Sequence, residues 1–368
     1  VHPATLEAAP HARSTTADFA AFRERTFFTS LDGLRALSIL GVVWHHTAAS
    51  DFRDVPLLSS GNFGVALFFV ISGFLITTLL LREEDRHGSI ALRAFYARRA
   101  LRIFPLYYAV LLLYATTVLV FERHSEAGAA FFQNLPYFAT YTNNLFIEGE
   151  ERVIFYFAWS LAAEEQFYLL WPLLAKHARR ALSLAVLGAG VLLAVLYQED
   201  LLPDAALDSS FEFFLARLML PIFLGVFSAY ALHDRRTFAV CARTLGHPLG
   251  APVIGALILL MLANGEAPLS LIHLAFALLV VSSVVRPDHG LHGLLDQPHL
   301  RQLGVVSYGV YLLHMLSLNG ARRVLDPLGV ESGVALFALT LPLACGAAWL
   351  SRRYFESWFL ARKTAFAR

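Results

Sequence analysis

The chain is poor in the residues from which soluble, secreted or metal-binding domains are built. It has two cysteines, Cys241 and Cys345, far apart in 368 residues. They exclude a disulfide framework, a CxxC redox pair and a thiolate metal set, so no metal is expected. Charged residues make up 15%, where an ordinary soluble domain carries about 25%. Basic and acidic residues number 29 and 28, for a net charge of +1. That balance gives no global field for nucleic acid. Residues 1–30 hold Arg13, Arg23 and Arg25 and no apolar core, which argues against a cleavable signal peptide. There is no internal repeat and no low-complexity tract.

What the chain does have is apolar length. Apolar residues reach 57%, phenylalanine alone contributes 30, and mean hydropathy is +0.57. Such runs predict an integral membrane protein. Ten candidate spans fall at 33–49, 63–81, 100–121, 158–175, 181–197, 211–232, 251–263, 268–285, 303–319 and 333–355. Several are shorter than the ~20 residues of a perpendicular helix. The expected fold is all-α and polytopic, with about ten transmembrane helices. Residues 1–30 form a flexible cytoplasmic tail, 31–357 the transmembrane domain, and 358–368 a cytoplasmic C-terminal tail.

Charge placement tests that count. With the N-terminus inside, alternate loops put 23 Lys and Arg on the inner side and five on the outer, Arg217 lying within a span. This is the asymmetry of the positive-inside rule, and it puts both termini in the cytoplasm. The longest outer loop, 122–157, has an aromatic-rich stretch from Phe131 to Phe146 suited to an amphipathic element at the interface.

Ionisable groups inside a span cost a few kcal/mol or more and mark function by default. Arg35 and His46 lie eleven residues apart in the first span. Eleven helical steps close to within about 20° of three turns and rise about 16 Å. The two therefore share a face, with the Arg at the inner surface and His46 near mid-membrane. His45 is turned away, towards a neighbouring helix. A neutral imidazole at that depth can accept a proton, or simply bond a neighbouring helix. Arg99 and Arg102, spaced i, i+3 at the inner mouth of the third span, suit phosphate, although juxtamembrane arginines also anchor lipid. Glu164 and Glu165 enter the fourth span behind Trp159 and Ser160. Arg217 is their partner by depth, in a structural pair or in a pocket wall. Ser307, Tyr311 and His314 form one stripe of the ninth span, with His314 about level with His46. Ser72-Gly73 in the second span reads as close helix packing.

Taken together, LDGLRALSILGVVWHH, GVALFFVISGFLIT, FYARRALRIFPLYY, WSLAAEEQFYLLWP and SYGVYLLH resemble the acyltransferase-3 family of ten-span membrane O-acyltransferases. The resemblance covers residues 31–357. The family's Arg-x10-His pattern falls on Arg35 and His46, and its Arg-x-x-Arg on Arg99 and Arg102. Its Trp-Ser-Leu-x-x-Glu-x-Gln-Phe-Tyr falls on Trp159, Ser160, Glu164, Gln166, Phe167 and Tyr168. Some members carry an extracytoplasmic SGNH esterase-like domain; the reading here is the stand-alone form.

The resemblance implies transfer of an acyl group, commonly acetyl, from cytoplasmic acyl-CoA (acetyl-CoA) to a hydroxyl. Acceptors in the family include envelope polysaccharides, peptidoglycan sugars, lipid-linked glycans and macrolides. Arg99 and Arg102, with Arg35, would hold the CoA phosphates. His46 would act as general base or acyl carrier, and Glu164 would orient or deprotonate the acceptor from the outer side. Trp159, Ser160, Gln166, Tyr168, Arg217, Ser307, Tyr311 and His314 would line the substrate pocket. The expected location is the bacterial cytoplasmic (inner) membrane, with the bilayer, the donor and a carbohydrate or other hydroxyl acceptor as partners. The other functional class is a proton-coupled exporter or flippase with His46, Glu164, Arg217 and His314 as a relay; the missing repeat symmetry counts against it.

Overall fold

A computed structural model describes residues 18–147, 153–199, 201 and 219–366. Arg217 lies outside the described residues. Among the described residues there is no strand. The principal helices are α1 Phe19–Glu24, α2 Thr29–Thr47, α3 Phe63–His87, α4 Leu92–Phe121, α5 Glu126–Ala139, α6 Trp159–His177 and α7 Arg180–Gln198. They continue with α8 Leu220–His233, α9 Arg235–Leu245, α10 Gly250–Asn264, α11 Leu269–Val285, α12 Pro298–Leu325 and α13 Gly333–Leu350, which runs on helically to Phe366.

Each of the ten candidate segments carries helix, 211–232 over its described part. By length and composition four helical stretches can cross a membrane: Pro56–His87, Leu92–Phe121, Arg180–Gln198 and Gly333–Phe366. A fifth is the pair α9 and α10, if counted as one span bent by 71°. The shorter α8 and α11 are apolar throughout. Helices α2, α6 and α12 fall short of that apolarity because they carry the polar groups singled out above. In lipid, such groups must turn inward.

Close backbone approach supplies much of the packing. A Cβ added at Gly73 of α3 would stand 2.1 Å from the Ile222 carbonyl oxygen of α8. One added at Gly225 of α8 would stand 2.2 Å from that of Val70 on α3. Small residues at such crossings replace the hydrophobic drive that lipid does not supply. Ser72-Gly73 is therefore a packing device, as its sequence suggests, although Ser72 proves to have a second role.

One sequence expectation needs correction here. The first thirty residues are not a loose tail throughout. From Asp18 they are folded, with Phe22 buried and Arg82 donating to the Phe22 and Arg25 carbonyls at 2.8 and 2.6 Å. Four Phe and two Arg lie in this short stretch, and Phe22 and Phe28 give it enough apolar and cation–π contact to dock. The 122–157 loop does carry a helix with one buried face, α5. Phe131 and Phe138 of α5 are buried, and the Tyr107 hydroxyl donates to the Phe138 carbonyl at 2.8 Å.

Candidate active site

Helix α2 ends at Thr47, so His46 occupies its last turn. Even so, the His46 ring lies 4.9 Å from that of His314, which has eleven residues of α12 beyond it. The short α2 therefore stops at a depth that α12 passes through. Beyond Thr47 the chain turns aside through short helical turns between Ala49 and Asn62. This opens an outer cavity of about 470 Å³ lined by His45, His46, Asn62, Tyr156, Trp159 and His273. His45 is exposed and shares that cavity, while bonding the backbone of Ser59 in the short helix Pro56–Ser59.

A central cavity of about 90 Å³ adjoins it. Val65 and Phe69 line both. Its polar walls come from five helices: Arg35, Ser72, Arg99, Arg102, Ser160, Glu164, Glu165, Tyr168, Ser307, Tyr308 and Tyr311. Arg99 and Arg102 also line a third cavity of about 450 Å³, the inner vestibule, with Arg86, Arg98 and Lys363. Wide basic vestibule, narrow polar neck and wide aromatic-imidazole cavity thus follow one another, each sharing walls with the next.

Hydrogen bonds fix the principal side chains. His46 Nδ1 lies 2.9 Å from the Val42 carbonyl oxygen. A carbonyl only accepts, so Nδ1 carries the proton and Nε2 is left as the acceptor. His314 Nδ1 makes the same kind of bond, at 2.5 Å, to the Tyr311 carbonyl; its Nε2 is buried with no partner. The Tyr311 hydroxyl donates to the Phe157 carbonyl at 2.9 Å and pairs with the Ser160 hydroxyl at 2.5 Å, tying α12 to the start of α6. Glu164 Oε1 accepts from the hydroxyls of Ser72 and Tyr168. The Arg99 guanidinium sits 4.3 Å from the Tyr168 ring centroid, within cation–π range. Arg35 is paired with Asp32 at 3.4 Å.

The structure therefore gathers Arg35, Arg99, Arg102, Ser160, Glu164, Tyr168, Ser307 and Tyr311 around one cavity, with His46 and Trp159 on the next and His314 packed behind. Glu164 stands beside the arginines, not on the outer side where the sequence reading puts it, because helix α6 carries it inward past Trp159. Gln166 lines none of the three cavities. It receives a bond from Asn144 at 3.1 Å and donates to the Tyr141 carbonyl at 2.8 Å, clamping the returning outer loop. Tyr308 and His273 are wall residues that the sequence reading left out, Ser72 is one it read as packing, and Glu165 is on the wall with Glu164. His273 had a signal: it is the sole ionisable residue of 268–285. Among the described residues no cluster of His, Cys, Asp and Glu fits a metal ion.

Comparison with known proteins places this geometry. Residues 28–353 match the family described as an acyltransferase domain. A Bacillus subtilis protein named "Putative peptidoglycan O-acetyltransferase YrhL" is 28% identical over 327 residues, covering 78% of this chain and 48% of that protein. The O-acetyltransferase OatA of Staphylococcus aureus is 38% identical over 162 residues, 40% of this chain and 24% of its own length. The chain thus spans from about a quarter to about half the length of these curated relatives. No solved structure matches it.

Proposed function

The chain belongs to the acyltransferase-3 family of acyltransferase domains, and from that premise we propose that it is an integral membrane O-acetyltransferase modifying a hydroxyl of a cell-envelope component. Peptidoglycan sugar is the acceptor to which a relative's name points. In this reading ten helices cross the cytoplasmic membrane of a bacterium, with both termini inside; the 23-to-5 basic asymmetry supports that placement.

The donor is acetyl-CoA, entering from the inner vestibule. Permanent guanidinium charge at Arg99 and Arg102 suits its phosphates. The neck is too small for a nucleotide and wide enough only for an extended arm, so the nucleotide stays in the vestibule while the thioester reaches the outer cavity. There His46 Nε2 takes the proton of the acceptor hydroxyl as its oxygen bonds to the thioester carbonyl carbon. The C–S bond then breaks, and the proton on Nε2 passes to the departing thiolate. The products are the acetyl ester and CoA thiol, and His46 is restored.

One observation carries this reading: an imidazole with Nδ1 held by Val42 and Nε2 free lines an aromatic-imidazole cavity that adjoins an arginine-lined one. The test is radiolabelled acetyl-CoA with soluble peptidoglycan glycan strands and protein in lipid nanodiscs. The wild type should label the glycan. His46→Ala should lose at least ~100-fold in rate with unchanged thermal unfolding; near-normal transfer would remove His46 from the chemistry. Substrate-driven proton movement without acetyl-CoA consumption would instead identify an exporter.

A further inference from the structure

The outer cavity holds an imidazole that this chemistry does not use. His273 lies near the start of α11, is 4% exposed, and lines the cavity beside His45, His46 and Asn62. Its Nδ1 is buried with no hydrogen-bond partner. Native structures retain few such atoms because each costs stability, and one that persists beside a cavity calls for an explanation. That atom is sealed from the cavity, but Nε2 of the same ring is not sealed and has no hydrogen bond among the described residues either, so a ligand group entering the cavity can bond it. The remaining walls indicate what kind of group. Tyr156 and Trp159 offer flat aromatic faces, and Asn62 an amide. Aromatic faces next to a few hydrogen-bonding groups match a pyranose ring, which has apolar C–H faces and a rim of hydroxyls.

We propose that His273 is an acceptor-positioning residue: its Nε2 hydrogen-bonds one hydroxyl of a sugar ring in the outer cavity and so presents another to His46. This rests on the acetyltransferase reading for its consequence in catalysis, but its binding claim stands separately. His46 and His273 divide the work: the first holds or moves the proton, the second fixes which hydroxyl reaches it. An unsatisfied buried nitrogen in the free protein is the stability cost of such a site.

The test uses the full chain in nanodiscs and soluble peptidoglycan glycan strands as the probe. Binding is followed first without donor, by tryptophan fluorescence, since Trp159 is in the cavity wall. His273→Leu keeps bulk and removes both nitrogens; His273→Gln returns a polar atom near the Nε2 position. His273→Leu should weaken glycan binding and raise the acceptor KM about tenfold, the equivalent of one lost hydrogen bond. The acetyl-CoA KM and the slow hydrolysis of acetyl-CoA by water should stay the same. Its unfolding temperature should be unchanged or higher, because the orphaned group is gone, and His273→Gln should recover part of the acceptor KM. Equal glycan affinity in wild type and His273→Leu overturns the proposal, as does a wild type that binds no glycan. So does a fall in unfolding temperature with parallel loss of donor hydrolysis, which marks a merely structural residue. Glycan binding that depends on His273 in a protein that never consumes acetyl-CoA supports the proposal and overturns the donor reading alone.

Discussion

His46 and His314, from opposite ends of the chain, stand with their rings 4.9 Å apart, and each donates from Nδ1 to a carbonyl of its own helix. Both therefore present a bare Nε2. His314 is fully buried and lines none of the three cavities, so its access to substrate runs through His46. It packs the His46 ring from behind and, with Phe157 at 5.3 Å, holds the ring toward the outer cavity.

Replacing His314 with Gln should consequently lower kcat by about 10- to 100-fold, the range for loss of a group that orients a catalytic side chain, with both KM values nearly constant. His314→Phe, which keeps the ring volume but no nitrogen, should keep most of the rate, since the His46 ring is held by packing. Steady-state kinetics with donor and acceptor varied in turn would show this. A large rise in either KM would place His314 in direct contact with substrate.

The arginine pair predicts a different signature. Arg102 lines both the inner vestibule and the central cavity, and Arg99 does so while resting on Tyr168. A hydrogen bond to a charged group is worth about 1.5–3 kcal/mol, so Arg99→Gln with Arg102→Gln should raise the acetyl-CoA KM by about 10- to 100-fold per lost contact. Acetyl-pantetheine, which carries the thioester arm without the nucleotide, should be used equally well by the wild type and the double variant. Equal losses with both donors would show that the pair acts on the thioester rather than on phosphate.

How much of this was legible in the sequence depends on what each signal measures. Helical phase put Arg35 with His46 and put Ser307, Tyr311 and His314 on one stripe, because 3.6-residue periodicity is local and holds wherever the helix is regular. Depth is a different matter. The sequence reading took Glu164 to face outward, and nothing local shows that α6 sets it on one cavity with the arginines or that α2 ends at Thr47. Ser72 reads as packing beside Gly73, and it is packing; its bond to Glu164 depends on an approach of α3 and α6 that no spacing within α3 encodes. His273 was missed for the opposite reason. Its intramembrane charge signal was present, but no family motif surrounds it.

Acid should weaken the fold at the inner loop between α11 and α12. His289 there is buried and bonded through Nε2 to the Ser30 hydroxyl at 3.0 Å. Burial first, and then the neighbouring His292, push it down to about 4 against the opposing pull of Asp288, compared with about 6.5 in an unfolded chain. The unfolded state therefore binds this proton more readily. The contribution of neutral His289 is complete above pH 6.5 and is lost as pH falls toward 4. His289→Gln keeps a polar atom near Nε2 and cannot titrate, so its unfolding temperature should vary less across pH 4–6.5 than that of the wild type. Parallel curves for the two proteins would assign the acid sensitivity elsewhere.

Glu164 is the residue whose role the geometry alters most, and its variant can separate the alternatives. Its Oε1 gathers the Ser72 and Tyr168 hydroxyls, and the Tyr168 ring carries the Arg99 guanidinium. The carboxylate is thus coupled to the donor side through one aromatic ring, while the cavity holding His46 and Trp159 lies beyond Val65 and Phe69. Glu164→Gln preserves an acceptor oxygen for both hydroxyls and removes the charge. The acetyl-CoA KM should change several-fold and kcat should fall about tenfold, far less than loss of a general base would cause. The acceptor KM should stay constant. Tyr168→Phe, which cuts the same link one bond further along, should reproduce the donor effect. If Glu164 instead deprotonates the acceptor, its replacement will cost at least ~100-fold in kcat and leave the acetyl-CoA KM untouched, while Tyr168→Phe does little. Opposite patterns from one pair of variants thus distinguish a carboxylate that sets the arginines from one that activates the alcohol.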